Sequence, residues 1–436
     1  MNNNQLQIKG SPARGLIAAT LGFFFGATAI SLFGPTAIEL KAGMGLTSGQ
    51  VGLLVAIPTL SGSLLRIPFG ASVDGNGGRR PFIWLLSLAV IGLAGLSILL
   101  TTQYPNGMKG MYWVILALGC LSGCGIATFS VGSGQSSYWY AKKRQGFALG
   151  VFGGLGTMSA GILAIVLPLL LKHAGFINSY YGLTVFMFIG LLLYIALACN
   201  APYFQFLKSG HTPEESITQA KACGQELFPA GNIRQSLSIS ARIPETWILV
   251  IAYFVTFGGF LALTAWLPTY WQQMHGMSPM QAGALTATFA ILAAGLRVPG
   301  GQLSDHFGGL QVSIFAIALL GVVALILSFV TNWIPALLCT LAIALAFGLN
   351  NAAIMKLVPV YVSKSVGGAS GWVGGLGAFG GFVLPPLMGR IADAMGWIGY
   401  ARGFLTFAIL SAIVLLVLYL GLLRRERKAG HPQIES

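Results

Sequence analysis

Apolar residues in this chain come in long runs broken by short polar turns, and each run is about 20 residues long, the length that crosses a hydrocarbon core of about 30 Å as α-helix. Twelve such runs are legible, at roughly 14–36, 49–72, 81–101, 111–136, 146–171, 180–200, 246–271, 280–303, 310–331, 333–356, 367–390 and 402–423. No series of alternating ten-residue segments suggests a transmembrane barrel. The pattern therefore predicts an all-α membrane protein with twelve transmembrane helices. The first run begins near Gly15 behind a short polar tail, lacks an A-x-A-like cleavage site and continues to Pro35, so it is expected to be the first span and not a removable signal peptide.

The spans fall into two related sets. Arg66-Ile67-Pro68-Phe69-Gly70-Ala71-Ser72-Val73-Asp74 recurs 231 residues later as Arg297-Val298-Pro299-Gly300-Gly301-Gln302-Leu303-Ser304-Asp305, with one R-x-P-x-G-x-x-x-D spacing. Thr47-Ser48-Gly49-Gln50 is echoed by Ser278-Pro279-Met280-Gln281, with Thr47 and Ser278 as expected helix caps. Phe25-Gly26 is matched by Phe257-Gly258, and Phe152-Gly153-Gly154-Leu155-Gly156 by Val373-Gly374-Gly375-Leu376-Gly377. The only long connection, 201–245, is polar and lies between runs six and seven. The expected organisation is an N-terminal six-helix half (1–200), a cytoplasmic linker (201–245), a C-terminal six-helix half (246–423) and a cytoplasmic tail (424–436). Two pseudo-symmetric halves of this kind place a site between them near mid-membrane.

Composition sharpens the class. With 55% hydrophobic and 8% charged residues over 436 positions, the chain has too little polar surface for a soluble domain of its size. A net charge of +14 could suggest a nucleic-acid partner, but the basic residues are scattered over short loops, so no nucleic acid is expected. Seventeen of the 24 lysines and arginines fall on the side of the N-terminus, five on the other and two inside spans, which predicts a multi-pass protein of the cell (inner) membrane with both termini cytoplasmic. Cys120, Cys124, Cys199, Cys223 and Cys339 show no metal-type spacing with histidine and are expected to be packing residues; no cofactor is implied.

The two residues inside spans are Arg66 and Arg297. At 1.5 Å per helical residue each lies roughly 12 Å inward of the polar turn opened by Asp74 or Asp305. A cation at that depth is costly, by roughly 2.5 kcal/mol or more, and usually marks a substrate path. All ten acidic residues lie at span ends, in the linker or in the tail, so no carboxylate is expected beside either arginine. A small mobile anion would compensate the pair, because a guanidinium offers a planar fork to an oxyanion; the bland alternative is that backbone carbonyls or water satisfy both. Spans five and eleven are dense in glycine, at Gly153, Gly154 and Gly156 and at Gly374, Gly375 and Gly377, which suggests helices that bend or approach closely, over and above ordinary small-residue packing.

Gly70, Asp74, Arg79 and Arg80, with Gly301 and Asp305, resemble the loop signature of the major facilitator superfamily, although the first copy carries a longer Gly-Asn-Gly-Gly insert. These residues are expected to form a structural latch, the aspartate capping a helix or pairing with a loop arginine. The chain further resembles the nitrate/nitrite porter family within that superfamily over nearly its whole length. The resemblance rests on the paired arginines, on Gly374 to Phe382 as G-G-L-G-A-F-G-G-F, on Asn351 to Pro359 as N-A-A-I-M-K-L-V-P, on Tyr253-x-x-x-Phe257, and on Phe129 in the stretch Gly123 to Phe129. It implies that Arg66 and Arg297 bind nitrate or nitrite, that Tyr253 donates a hydrogen bond, that Phe25, Phe129 and Phe257 pack around the anion, and that Asn351 belongs to the site. One departure stands out: the family's span-five signature G-x-G-N-x-G is here Gly154-Leu155-Gly156-Thr157-Met158-Ser159, so Thr157 replaces an asparagine and can offer one hydroxyl hydrogen bond.

The expected function is secondary transport of nitrate or nitrite by alternating access, by a monomer in the lipid bilayer, with anion exchange as the mode. Proton symport is the alternative, since His173, His211, His275, His306 and His431 all lie at span ends, in loops or in the tail. Lys356 could guide anions inward or simply reach to the interface. Transport of phosphate esters or small carboxylates is a further alternative. A membrane enzyme would require a nucleophile, metal cluster or acid/base pair near the bilayer, and none is legible.

Overall fold

The structure is a computed structural model that describes residues 8–33, 36–46, 48–229 and 232–424. Thr47 and nearly all of the tail expected at 424–436 lie outside the described residues. Eleven described helices are long and apolar enough to cross a membrane: Pro12–Ile30, Arg79–Gln103, Tyr112–Trp139, Lys142–Ala174, Phe176–Leu197, Pro244–His275, Met280–Phe307, Gly309–Leu327, Trp333–Tyr361, Val366–Ala392 and Gly396–Leu423. Ser48–Leu64 and Arg66–Asn76 together fill the place of the second span, which completes the twelve. Large apolar side chains such as Trp113, Phe315, Leu338 and Ile409 are exposed on the bundle's outer surface, where a bilayer covers them.

The repeated R-x-P spacing has a local consequence. Spans two and eight each break one residue before the arginine, into Ser48–Leu64 and Arg66–Asn76, and into Pro279–Gly295 and Arg297–Phe307. Pro68 and Pro299 have no N–H to give to the carbonyl four residues back, at Leu64 and Gly295, so the helix opens there and each arginine starts a fresh segment. Span seven is interrupted by a π-turn at Phe254–Gly258, span four by a 3-10 turn at Cys124–Ala127, and span eleven is divided at Phe379. Span five, in contrast, runs as one helix over Gln145–Ala174 despite its glycines.

The glycines of spans five and eleven line two crossings between the halves. Gly146, Gly150 and Gly154, one turn apart, face span eight, and a methyl on Gly154 would stand 2.7 Å from the Ala294 carbonyl oxygen. Gly367, Gly371 and Gly375 face span two in the same way, and a methyl on Gly371 would stand 2.8 Å from the Ile67 carbonyl oxygen. Gly70 and Gly301 are the opposite walls of these two crossings. Helix axes come this close only where both surfaces lack side chains.

At the end of the bundle that carries the linker, each half caps a helix of the other. Asp74, buried, accepts from the backbone N–H of Gly367 at 2.9 Å and Gly368 at 3.4 Å at the start of span eleven. Asp305 accepts from Gly146 at 2.9 Å and Phe147 at 2.7 Å at the start of span five. A carboxylate at a helix N-terminus satisfies otherwise orphaned donors and complements the helix dipole. Asp305 also pairs with Lys356 at 2.5 Å, so that lysine is held at a helix cap. Asp74 instead takes hydroxyls, from Tyr138 at 2.6 Å and Ser236 at 2.5 Å. Arg79 does not pair with Asp74; it donates to the Ala198 and Ile195 carbonyls at the end of span six. Arg80 borders a cleft with Trp84 and Ile233.

Among its described residues the polar linker contains three short helices, Pro202–Lys208, Pro213–Ala222 and Ile233–Arg242. The last lies against both Arg66–Asn76 and Val366–Ala378, and it is tied there by Ser236 and by the Trp372 indole donating to the Leu237 carbonyl at 3.3 Å.

Candidate functional site

The breaks before Arg66 and Arg297 turn both side chains into the space between the halves, and both are buried, with 1% and 3% exposure. Each reaches across to the other half's glycine helix. Arg66 Nη1 donates to the Gly374 carbonyl at 2.9 Å, and Arg297 Nη1 donates to the Gly153 carbonyl at 3.0 Å. Gly153 and Gly374 are the equivalent positions of the two glycine motifs, so the contact is pseudo-symmetric. Arg66 Nη2 also donates to the Ile126 carbonyl at 3.3 Å, and Arg297 Nη1 to the Thr157 hydroxyl at 3.2 Å. These acceptors are carbonyls and one hydroxyl; none is a carboxylate.

Three aromatic rings fill the space around the guanidinium groups. Phe257 lies between them, with its centroid 5.1 Å from Arg66 Cζ and 5.0 Å from Arg297 Cζ. Phe129 lies 4.9 Å from Arg66 Cζ and is nearly parallel to Phe257, at 5.5 Å and 12°. Tyr253 stacks on Phe257 at 4.9 Å and 15°, a register set by the π-turn that begins at Phe254. A ring face toward a guanidinium contributes about 0.5–2 kcal/mol of attraction, far less than the cost of burying a cation, so the rings hold the arginines in place without neutralising them.

Several buried polar atoms of this centre have no hydrogen-bond partner: Arg66 Nε, Arg297 Nη2, the Tyr253 hydroxyl and Asn351 Oδ1. The Tyr253 hydroxyl nonetheless lies beside both guanidinium groups, close to Arg297 but outside hydrogen-bond geometry. The neighbouring Asn350 is occupied, accepting from Ser313 at 2.6 Å and donating to Thr256 at 2.8 Å.

Phe25 is placed elsewhere. Its ring packs on Phe186 at 4.5 Å and over Gly190 in span six, and the neighbour of Phe129 is Phe23, at 5.2 Å. Three successive phenylalanines, Phe23 to Phe25, sit about 100° apart on the helix, so only one can face the centre. The six glycines divide into three uses. Gly154 and Gly375 make the helix crossings, Gly156 and Gly377 seat the rings of Phe23 and Tyr253, and Gly153 and Gly374 supply the carbonyls that the arginines take. Phe23 and the carbonyl of Ile126 were not expected; the first is hidden in an apolar run and the second has no side-chain signal.

A twelve-helix bundle in two related halves, joined by a polar linker and enclosing paired cations at its centre, defines a secondary transporter. The sequence profile of the Major Facilitator Superfamily matches residues 19–381 and again 275–435. Solved structures of that fold superimpose closely: a proton:xylose symporter, XylE, at TM-score 0.73 over 94% of this chain and 96% of its own, and the human organic anion transporter MFSD10 at 0.71 over 93% and 99%, each at 15% identity. Within the superfamily, the chain belongs to the nitrate/nitrite porter family. It is 31% identical to a Thermus thermophilus protein named "Probable nitrate/nitrite antiporter NarK1" over 96% of this chain and 94% of that one. It is 29% identical to the "Nitrite extrusion protein" of Bacillus subtilis, over 90% and 89%.

Proposed function

We propose that the protein carries nitrate and nitrite across the membrane by alternating access, exchanging one for the other. The observation that carries this reading is the pair of buried guanidinium groups whose acceptors include no carboxylate and which, with Tyr253, leave three donors without partners. A planar oxyanion supplies the missing acceptors and offsets one of the two positive charges. Phe129 and Phe257, nearly parallel and 5.5 Å apart, stack against each other beside the guanidinium groups and line the centre with apolar surface, which favours a small, weakly hydrated anion. The family relatives named for nitrate and nitrite support the same substrates.

The lysine and arginine bias toward the linker side supports a cell-membrane protein with both termini and the linker in the cytoplasm. The acid caps at Asp74 and Asp305 then close the cytoplasmic end, and opening inward requires both to release. Both arginines belong to one chain, which supports a monomer as the working unit.

Direct binding to the purified protein tests this reading. Nitrate should bind saturably and be displaced by nitrite but not by phosphate or acetate. Arg66→Lys and Arg297→Lys, which keep the charge but lose the fork, should each lower affinity by at least about tenfold while the protein still inserts. Undiminished binding in both lysine variants would remove the arginines from the site.

A further inference from the structure

Thr157 lies one turn beyond Gly153 on span five, and the single proton of its hydroxyl is already committed. It donates to the Gly153 carbonyl at 2.5 Å and accepts from Arg297 Nη1 at 3.2 Å, while that nitrogen also donates to the same carbonyl at 3.0 Å. A hydroxyl has one proton. With that proton committed within the helix, Thr157 has no hydrogen to give to a substrate, and what it presents to the centre is a lone pair already taken by Arg297.

The other half has no equivalent. The residue that corresponds to Thr157 in the span-eleven motif is Ala378, and Arg66 finds its second acceptor at the Ile126 carbonyl, at 3.3 Å on its own half. The two arginines are therefore anchored differently. Arg297 is held through Nη1 alone, by two acceptors on a single helix of the opposite half, and its Nη2 is left without a partner. Arg66 is held through both terminal nitrogens, by carbonyls on different halves, and its Nε is left instead.

We propose that Thr157 is a positioning residue: its hydroxyl, fixed by Gly153, holds Arg297 so that Nη2 meets the anion, and Thr157 itself does not touch the anion. This rests on the anion-transport reading above. It follows that loss of the hydroxyl weakens every anion that depends on Arg297 by the same factor, whereas a direct donor would discriminate between nitrate and nitrite.

The test is transport by Thr157→Val, which keeps the shape and loses the hydroxyl, beside Thr157→Ser, which keeps the hydroxyl. The Val variant should show the KM for both nitrate and nitrite raised about tenfold with kcat little changed, an unaltered nitrate-to-nitrite KM ratio and an unaltered melting temperature; the Ser variant should stay within about twofold of the unmodified protein. A Val variant with unchanged KM for both anions, or one whose nitrate-to-nitrite ratio moves by more than about threefold, would overturn the inference. Should Val prevent insertion, Thr157→Ala carries the same comparison. If the unmodified protein transports neither anion, the function reading falls and this inference with it; if it transports both and the hydroxyl is dispensable, only the inference falls.

Discussion

Each donor left over at the centre is a small energetic problem whose solution is the same ligand. A buried polar group without a partner costs about 1–3 kcal/mol, and Arg66 Nε, Arg297 Nη2 and the Tyr253 hydroxyl are three such groups in one aromatic-lined centre. Tyr253→Phe isolates one of them, because the ring, its stacking on Phe257 and its seat over Gly377 all remain. The expected result is a KM for nitrate raised about tenfold with normal insertion; an unchanged KM would take the hydroxyl out of the anion's environment. The arginines were legible in the sequence because the R-x-P-x-G-x-x-x-D spacing occurs twice and an intramembrane cation is costly. Their acceptors were not, since the carbonyls of Ile126, Gly153 and Gly374 belong to the backbone and leave no trace in residue type. Thr157 was legible as a departure from the family signature, but the direction of its hydrogen bonds comes only from its place one turn after Gly153. Phe25 shows the opposite failure: its match to Phe257 across the repeat suggested a shared role, and one step of helical rotation gives the inward place to Phe23.

At the scale of helices, glycine density alone could not distinguish bending from close packing. The structure separates them by register: Gly146, Gly150 and Gly154 recur every four residues along an unbroken span five, as do Gly367, Gly371 and Gly375 along the inner part of span eleven, and both rows face the opposite half. The breaks fall instead at Leu65 and Leu296, one residue after the Leu64 and Gly295 carbonyls that the motif prolines cannot serve, although each apolar run reads as unbroken. Gly154→Leu and Gly371→Leu therefore act by wedging the halves apart, since interiors packed this closely cannot absorb four added carbons. Each should reduce exchange at least about tenfold while leaving a measurable share of nitrate binding in the purified protein. Exchange at the unmodified rate in both variants would leave the two rows without a role in the crossing.

For the molecule as a whole, the twelve spans followed from apolar run length, because membrane thickness acts along the chain. The latch at the linker end followed only in outline. The loop aspartates were expected to cap a helix or pair with a loop arginine, but not which helices they would cap, since Asp74 meets Gly367 and Asp305 meets Gly146 only once the halves are assembled. The asymmetry between them, Lys356 on Asp305 but hydroxyls on Asp74, is likewise a product of assembly. At the centre the two cations lie on opposite halves, each reaching a carbonyl on the other, so a rocking of the halves has to break those bonds and pass through a closed state in which both charges are buried. An anion that binds both arginines halves that net charge and supplies acceptors, so the loaded carrier should reorient far more readily than the empty one.

That difference is open to a single measurement, nitrate entry into liposomes that contain the purified protein, at equal pH on both sides, with and without nitrite inside. The account predicts rapid entry into nitrite-loaded vesicles and little entry into empty ones. Entry into empty vesicles as rapid as into nitrite-loaded ones would contradict it.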